Sequence, residues 1–295
     1  MRAARGPAGG VLAALGLLLL AGCGGEPAAP AATAATATAA AVPSGASVPL
    51  PADPEAARFV ERVTAAARAA GTAQLSVLSG EPGAEVVVGT GVVRFGEHGT
   101  DLHVRFPQAG SDRYGDIETI AVGGAEYMGT GMLAPGLFVE AGPSTHESVV
   151  GMLMGGIAAH DVDPLRELTT TPEAVLGVVP VGAPEQVDGV PAQAYDVTVD
   201  QRPRLREAHA ADPGVDLALL DAELEALDPE EYEVVRRYWV DESGLLRKVS
   251  AATLLGGPTE IRLSAWGTDV EITAPAPDRV LDSDDLSPQQ LPADG

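Results

Sequence analysis

The chain of 295 residues has one cysteine, Cys23, one lysine, Lys248, and only 4% aromatic residues. A single cysteine forms no internal disulfide, and it cannot supply the several thiolates of a structural zinc site. The stability of a folded domain must therefore come from apolar burial, for which a hydrophobic content of 45% is sufficient. Basic residues are also scarce, with 18 Lys and Arg against 42 Asp and Glu and a net charge of −24. Such a surface repels the phosphates of nucleic acid, so no nucleic-acid partner is expected.

The N-terminal residues 1–22 have the layout of a secretory export signal. Arg2 and Arg5 form a positive region, and Val11–Leu20 is an apolar stretch too short for a stable transmembrane helix. The sequence Leu20-Ala21-Gly22-Cys23 resembles a bacterial lipobox, which implies acylation of Cys23 and its exposure as the mature N-terminus. The alternative is an ordinary cleavage site beside an incidental cysteine. We expect a protein that is lipid-anchored at the extracytoplasmic face of the cell membrane, with the plasma membrane as its first partner.

Composition divides the rest of the chain into three parts. Residues 23–52 are rich in Ala, Thr and Pro, have no hydrophobic period, and predict a disordered tether behind the acylated cysteine. Residues 53–275 carry the periodic patterns of one folded domain. Residues 276–295 are rich in Asp and Pro and predict a disordered acidic tail.

The folded domain is predicted to begin with a helix and to continue as an antiparallel meander. Asp53 suits a helix N-cap, Pro54 the first helical position, and Gly71 a C-terminal stop. From there the hydrophobic period changes from 3.6 to 2. The predicted strands of the first half are 74–79, 85–95, 101–106, 116–122 and 125–128.

An apolar helical middle precedes a second group of strands. Residues 149–157 have almost no polar face, which predicts a helix that is buried on several sides. Strands resume at 178–187, a helical insertion occupies Arg202–Leu227, and a strand at Asp269–Ile272 ends the pattern. The predicted fold class is α+β, a large curved antiparallel sheet, or half-open β-barrel, wrapped around helices.

Motifs for catalysis are incomplete wherever they occur. His146-Glu147 begins like a zinc protease helix, but position 150 is Val and the second histidine ligand is missing. Gly129–Ala134 fits a loose dinucleotide pattern, yet it follows a hairpin strand and has no βαβ unit around it. The sequence contains no Gly-x-Ser-x-Gly and no Walker loop. We therefore expect neither an enzyme nor a cofactor or metal site.

Soft apolar side chains are concentrated in the middle of the chain. Four of the five methionines lie within 27 residues there, and methionine adapts to irregular partners. One interpretation is a cavity for a lipophilic ligand, and the other is an ordinary core beneath a curved sheet. The candidate cavity residues are Met128, Met132, Leu133, Leu137, Phe138, Val149, Met152, Leu153 and Ile157.

Three segments of the C-terminal half carry a family resemblance. Asp188–Val197 reads D-G-V-P-A-Q-A-Y-D-V, Tyr238–Lys248 reads Y-W-V-D-E-S-G-L-L-R-K, and Ser264–Pro275 contains W-G-T-D-V-E-I. Together with the lipobox and the leading helix, they resemble the actinobacterial LppX/LprG-like lipoproteins over roughly residues 53–275. The insertion at 202–227 is longer than this family leads us to expect.

The resemblance implies a fold and a function. The family fold is a half-open barrel similar to the LolA periplasmic carriers, and its members bind acylated lipids or glycolipids in an apolar cavity. The expectation is a non-catalytic lipid-binding lipoprotein that carries its ligand across the envelope, with an envelope transporter as a further partner. The alternative is an envelope sensor or scaffold that uses the same fold to bind a protein.

Overall fold

The computed structural model describes residues 50–81, 83–97, 99–107, 115–131, 133–141, 159–210, 215–254 and 257–281. They form one sheet of 12 strands with six α-helices. The helices are α1 (Pro54–Ala70), α2 (Ala159–Val162), α3 (Arg166–Thr169), α4 (Arg202–Ala210), α5 (Leu217–Glu225) and α6 (Pro229–Tyr232).

The strands of the first half form the predicted meander, each within about two residues of its expected bounds. They are β1 (Thr72–Ser79), β2 (Val86–Gly96), β3 (Gly99–Phe106), β4 (Ile117–Val122), β5 (Ala125–Thr130) and β6 (Phe138–Ala141), of which β6 was not predicted. The second half contributes β7 (Val175–Val187), β8 (Val190–Asp200), β9 (Glu233–Asp241), β10 (Leu246–Leu254), β11 (Gly257–Ser264) and β12 (Val280–Leu281).

The first helix forms for the reasons that the sequence indicated. The Asp53 carboxylate accepts hydrogen bonds from the backbone N–H groups of Glu55 (2.7 Å) and Ala56 (3.4 Å), as an N-cap does. At the other end Gly71 has a φ of 79°, and its N–H donates to the Ala67 carbonyl. The buried face of α1 consists of Ala56, Phe59, Val60, Val63, Thr64 and Ala67.

The sheet curves around α1. The strand order is β12-β6-β5-β4-β3-β2-β1-β11-β10-β9-β8-β7, antiparallel at every pairing except β12 with β6. α1 contacts β1, β2 and β7, although β1 and β7 would lie about 24 Å apart in a flat sheet with strands spaced about 4.8 Å. A helix about 10 Å wide reaches both only if the sheet wraps around it. The edges β12 and β7 stay open, which confirms the predicted α+β half-open barrel.

The two faces of the sheet are chemically distinct. We call the face toward α1 the inner face and the other the outer face. Along β3, Leu102, Val104 and Phe106 are buried on the inner face, as the period of two predicts. His103 points outward, and its Nε2 lies 2.6 Å from the Glu118 carboxylate of β4.

Residues 265–276, which we call the strap, cross the outer face. Ile272 is buried against Ile120 and Phe138. The predicted strand at Asp269–Ile272 is therefore wrong, because β11 is already paired on both sides, with β1 and β10. After the strap a 3-10 turn, Pro277–Arg279, leads into β12, which pairs with β6. Regular structure therefore continues to Leu281, past the boundary predicted at residue 275.

The predicted helical insertion lies between β8 and β9 as α4, α5 and α6. Arg206 on α4 and Asp221 on α5 form an ion pair with Nε to Oδ1 at 2.7 Å. We call the end of the sheet at which β8 ends and β9 begins the lower end. By strand register β1 also ends there, and β2 begins there.

Candidate ligand-binding face

The inner face carries the main core, which fills the space between α1 and the sheet. Phe59 of α1 packs against Tyr195 and Tyr238, with ring centroids 5.1 and 6.2 Å apart. Tyr238 is completely buried. This part of the fold is closely packed and leaves the candidate ligand site to be sought elsewhere along the inner face.

A second and separate apolar cluster lies on the inner face toward β6. It consists of Met128, Leu133 and Val139, with Leu137 and Leu281 packed against it. Met128 and Val139 are register partners on β5 and β6, and a turn from the Thr130 carbonyl to the Leu133 N–H brings Leu133 back to them. The sequence thus nominated three residues, Met128, Leu133 and Leu137, that the structure brings together.

Phe138 was nominated with them, and the structure corrects this prediction. It precedes Val139 on β6, so its side chain lies on the outer face, where it packs with Ile120 and Ile272. The sequence around Phe138 is an apolar run without a clear period, so β6 was not predicted. Without that strand, the alternation of inward and outward side chains could not be used to assign Phe138 to a face.

The other nominated residues lie outside the described part of the chain, and their roles stay predictions. They are Cys23 as the lipidation site and Met132, Val149, Met152, Leu153 and Ile157 as cavity residues. Residues 142–158 join the end of β6 to α2, and α2 contacts β4 and β10.

Sequence reasoning missed a buried polar group in the main core. The Arg236 guanidinium and the Glu167 carboxylate form an ion pair at 2.8 Å, with side chains only 13% and 8% exposed. The Tyr238 hydroxyl donates to Glu167 at 3.3 Å, and burial raises the pKa of Tyr238 well above its usual value. The only signal in the sequence was an arginine at an inward position of β9.

Asp163 is a second acid held in this region. Its carboxylate accepts a hydrogen bond from the Leu165 N–H at 3.0 Å and another from the Thr100 hydroxyl. Desolvation outweighs both bonds and raises its pKa to about 6, with a further contribution from the nearby charge of Glu167. The residue as a whole is only partly buried, yet desolvation is the largest cause of the raised pKa.

A small polar cleft opens beside this core at the lower end of the sheet. It has room for about one water molecule. Its cations are Arg166 on α3 and Arg204 on α4. The remaining lining residues are Glu167, Thr170, Thr171, Val199, Asp200, Gln201 and Glu207.

The motifs behind the family resemblance have structural roles where they are described. Asp188 and Gly189 have φ values of 49° and 80° in the tight turn between β7 and β8. Asp241 closes the β9–β10 hairpin, since its carboxylate accepts from the N–H groups of Ser243 (2.9 Å) and Leu245 (3.1 Å). These residues specify turns.

Two kinds of site are absent from the described part of the chain. Its His, Asp and Glu side chains form no group of three that could hold a metal ion. Within the same residues no helix combines the length and apolarity needed to cross a membrane.

The described architecture is that of a half-open barrel with a helix packed inside. No known family model matches the chain, and no curated protein sequence matches it. Among solved structures it is similar to LprF from Mycobacterium bovis, with 16% identity and a TM-score of 0.39 over 76% of this chain and 98% of that one. It is also similar to the Mycobacterium tuberculosis lipoprotein LppX, with 13% identity and a TM-score of 0.43 over 75% of this chain and all of that one.

LprF and LppX are lipoproteins of the family that the sequence resembles. A weaker likeness exists to the Pseudomonas aeruginosa MucA/MucB complex, with 14% identity, a TM-score of 0.30, and coverage of 76% of this chain and 59% of that one. Likenesses at this level describe the fold and not the ligand.

Proposed function

We propose that this protein is a membrane-anchored extracytoplasmic lipoprotein that binds an acylated lipid or glycolipid on the inner face of its sheet and carries it across the cell envelope. Binding involves no catalysis in this proposal. Cys23 supplies the anchor, and the Ala/Thr/Pro-rich segment behind it lets the domain move relative to the membrane.

One observation carries the proposal: the inner face holds two separate apolar clusters. The main core lies under α1, whereas Met128, Leu133 and Val139 form a cluster of their own toward β6. Between the ends of β6 and α2 the sequence supplies another apolar stretch, residues 149–157. An apolar sheet surface and an apolar segment of sequence together supply the composition that an acyl chain requires.

The energetics favour such a ligand. Each CH₂ group removed from water contributes about 0.8 kcal/mol, so several methylene groups against this cluster hold a chain without a specific polar contact. Methionine side chains accommodate ligands of irregular shape. Selectivity for a headgroup would then need polar residues nearby.

The first test is native mass spectrometry of the full chain with Cys23→Ser, which removes the acylation site, produced in a host related to the source. A bound mass that is released as acylated lipid supports the proposal and identifies the ligand class. A bare protein mass that takes up no added lipid contradicts it.

A pair of variants tests whether the ligand binds on the inner face. Met128→Trp adds bulk to a residue that is 6% exposed, and it should reduce lipid occupancy. Val179→Trp makes a similar change at a residue 62% exposed on the outer face, and it should leave occupancy unchanged. Equal lipid occupancy in both variants would show that the ligand does not bind at β5 and β6.

A second candidate function, a scaffold that binds a protein partner, is favoured by an exposed apolar rim. Of the nine large apolar side chains exposed in the described part of the chain, seven lie at the lower end of the sheet or on its insertion. Exposed apolar patches commonly mark interaction sites. These seven are Val86, Val87, Leu176, Leu205, Leu219, Val234 and Val235.

A photo-crosslinking residue distinguishes the two functions in cells. Placed at Val235 in the rim, it should capture one specific protein if the scaffold function holds. Placed at Arg58, which is 72% exposed on α1, it should capture none. Lipid adducts alone at Val235 would favour the carrier.

A further inference from the structure

Two arginines at the lower cleft lie close together in a half-buried place. Arg166 on α3 is 22% exposed, and Arg204 on α4 is 33% exposed. Burial, followed by the proximity of Arg204, lowers the pKa of Arg166. Two guanidinium groups in such a setting repel each other unless an anion lies near both.

The acids that line the cleft are mostly committed to other cations. Glu167 is held by Arg236 at 2.8 Å and by the Tyr238 hydroxyl. Asp200 accepts four hydrogen bonds from Arg202, one from its backbone N–H and three from its guanidinium, with the shortest at 2.7 Å. The charge of Glu167 still acts favourably on Arg166, but the ion pairs of both acids are made with other arginines.

The contact between Arg166 and Glu207 is loose. The nearest atoms are 3.7 Å apart, which is too far for a hydrogen bond, and Glu207 is 57% exposed. Arg204 has a closer partner in Asp161 of α2, at 3.3 Å. Glu126 also contributes a favourable charge to Arg166. Of these acids, Glu207 is the one that a ligand could displace from the cleft with least loss.

We propose that this cleft binds a phosphate group, which displaces the Glu207 carboxylate and bridges Arg166 and Arg204. Arginine forks bind phosphate oxygens in pairs, and the hydroxyls of Thr170 and Thr171 in the cleft supply further donors. Room for about one water molecule admits one phosphate oxygen, while the rest of the group stays at the cleft mouth.

The phosphate has two chemical sources, a lipid headgroup or free phosphate. The lipid form rests on the proposed function. The charge of Glu126 on β5 acts on Arg166, which links the cleft to the strand that carries Met128. The net charge of −24 repels anions at a distance. The affinity must therefore come from the close contacts in the cleft.

The test is isothermal titration of the full chain with Cys23→Ser, using three probes at physiological salt. They are inorganic phosphate, a lysophosphatidate, and a monoacylglycerol with the same acyl chain, the amphiphiles being kept below micelle formation. We expect the lysophosphatidate to bind at least about tenfold more tightly than the monoacylglycerol, the difference that one charge-assisted hydrogen bond supplies.

Variants separate the cleft from the rest of the surface. Arg166→Gln and Arg204→Gln should each abolish the preference for lysophosphatidate, and Arg58→Gln, an exposed arginine on α1, should keep it. Glu207→Gln removes the competing carboxylate and should strengthen phosphate binding. If Glu207 serves only to attach α4, Glu207→Gln gains no affinity for phosphate. That result overturns the proposal, even if the arginine variants are unstable.

The outcomes distinguish this proposal from the proposed function. Equal binding of both amphiphiles would contradict a phosphate site in the cleft, and so would a preference for lysophosphatidate that persists in Arg166→Gln. Neither result contradicts the proposed lipid carrier. Binding of inorganic phosphate alone, dependent on Arg166, supports the cleft with free phosphate as its ligand and contradicts the carrier. A chain that binds none of the three probes overturns both.

Discussion

Replacement of Asp163 by Asn should make the protein more stable at neutral pH and remove part of its pH dependence. The pKa of Asp163 is raised to about 6 from an unfolded value of 3.8, chiefly by desolvation. An acid with a higher pKa in the folded state binds its proton more tightly when folded. Its contribution to stability is fully present below pH 3.8 and is lost as the pH rises through about 6.

The magnitude follows from the shift. At about 1.36 kcal/mol for each pH unit, a rise from 3.8 to about 6 corresponds to about 3 kcal/mol. Asparagine is neutral at every pH and has nearly the shape of aspartate. Its carbonyl oxygen can still accept from the Leu165 N–H, and the Thr100 hydroxyl can reverse its role and accept from the amide.

The assay is urea unfolding of both proteins between pH 4 and pH 8. The free energy of unfolding of Asp163→Asn, minus that of the wild type, should increase by about 2.4 kcal/mol across this range, since the unfolded carboxyl is already more than half ionised at pH 4. All other titrating groups are shared by the two proteins and cancel in the difference. A difference that stays constant with pH would refute the argument that the carboxyl group is desolvated.

Three further substitutions test the packing by urea unfolding. Glu167→Gln leaves the buried Arg236 without a counter-charge and should lower the free energy of unfolding by about 3–5 kcal/mol. Replacing both residues by apolar ones should lower it by less, and equal losses would contradict this reasoning. Gly91→Ala would make a Cβ clash with the backbone carbonyl oxygen of His103 and should cost about 2–3 kcal/mol. Its control is Gly177→Ala, with no atom within 4 Å of the added Cβ, which should change stability by less than about 1 kcal/mol. Ile272→Ala should cost about 2–5 kcal/mol if the strap is part of the core, and a loss below about 0.5 kcal/mol would show that it is not.

Local patterns in the sequence predicted much of the fold. Asp53 and Gly71 mark the ends of α1 because capping depends on the backbone of a few neighbouring residues. The alternation around Leu102 and Val104 predicted both β3 and its buried face. Such features are set within ten residues, so the sequence alone displays them.

Features that depend on distant parts of the chain could not be predicted. Ile272 alternates with its neighbours as a strand residue would, but the pairing of β11 on both sides leaves it no place in the sheet. Phe138 was assigned to the wrong group because β6 is short. Glu167 and Arg236 are 69 positions apart in the sequence, and no local pattern joins an acid in a short helix to a base on β9.

The pairing of β12 with β6 has a consequence for the order in which the protein is made. About 140 residues separate Phe138 from Val280, its register partner. At a synthesis rate of about 5–20 residues per second, the edge of β6 waits on the order of 7–30 s for its final neighbour. During that time Ile120 and Phe138 also lack the strap that buries them. The nascent chain therefore presents an unpaired edge beside apolar side chains, the combination that chaperones recognise, until residues 265–281 have been synthesised.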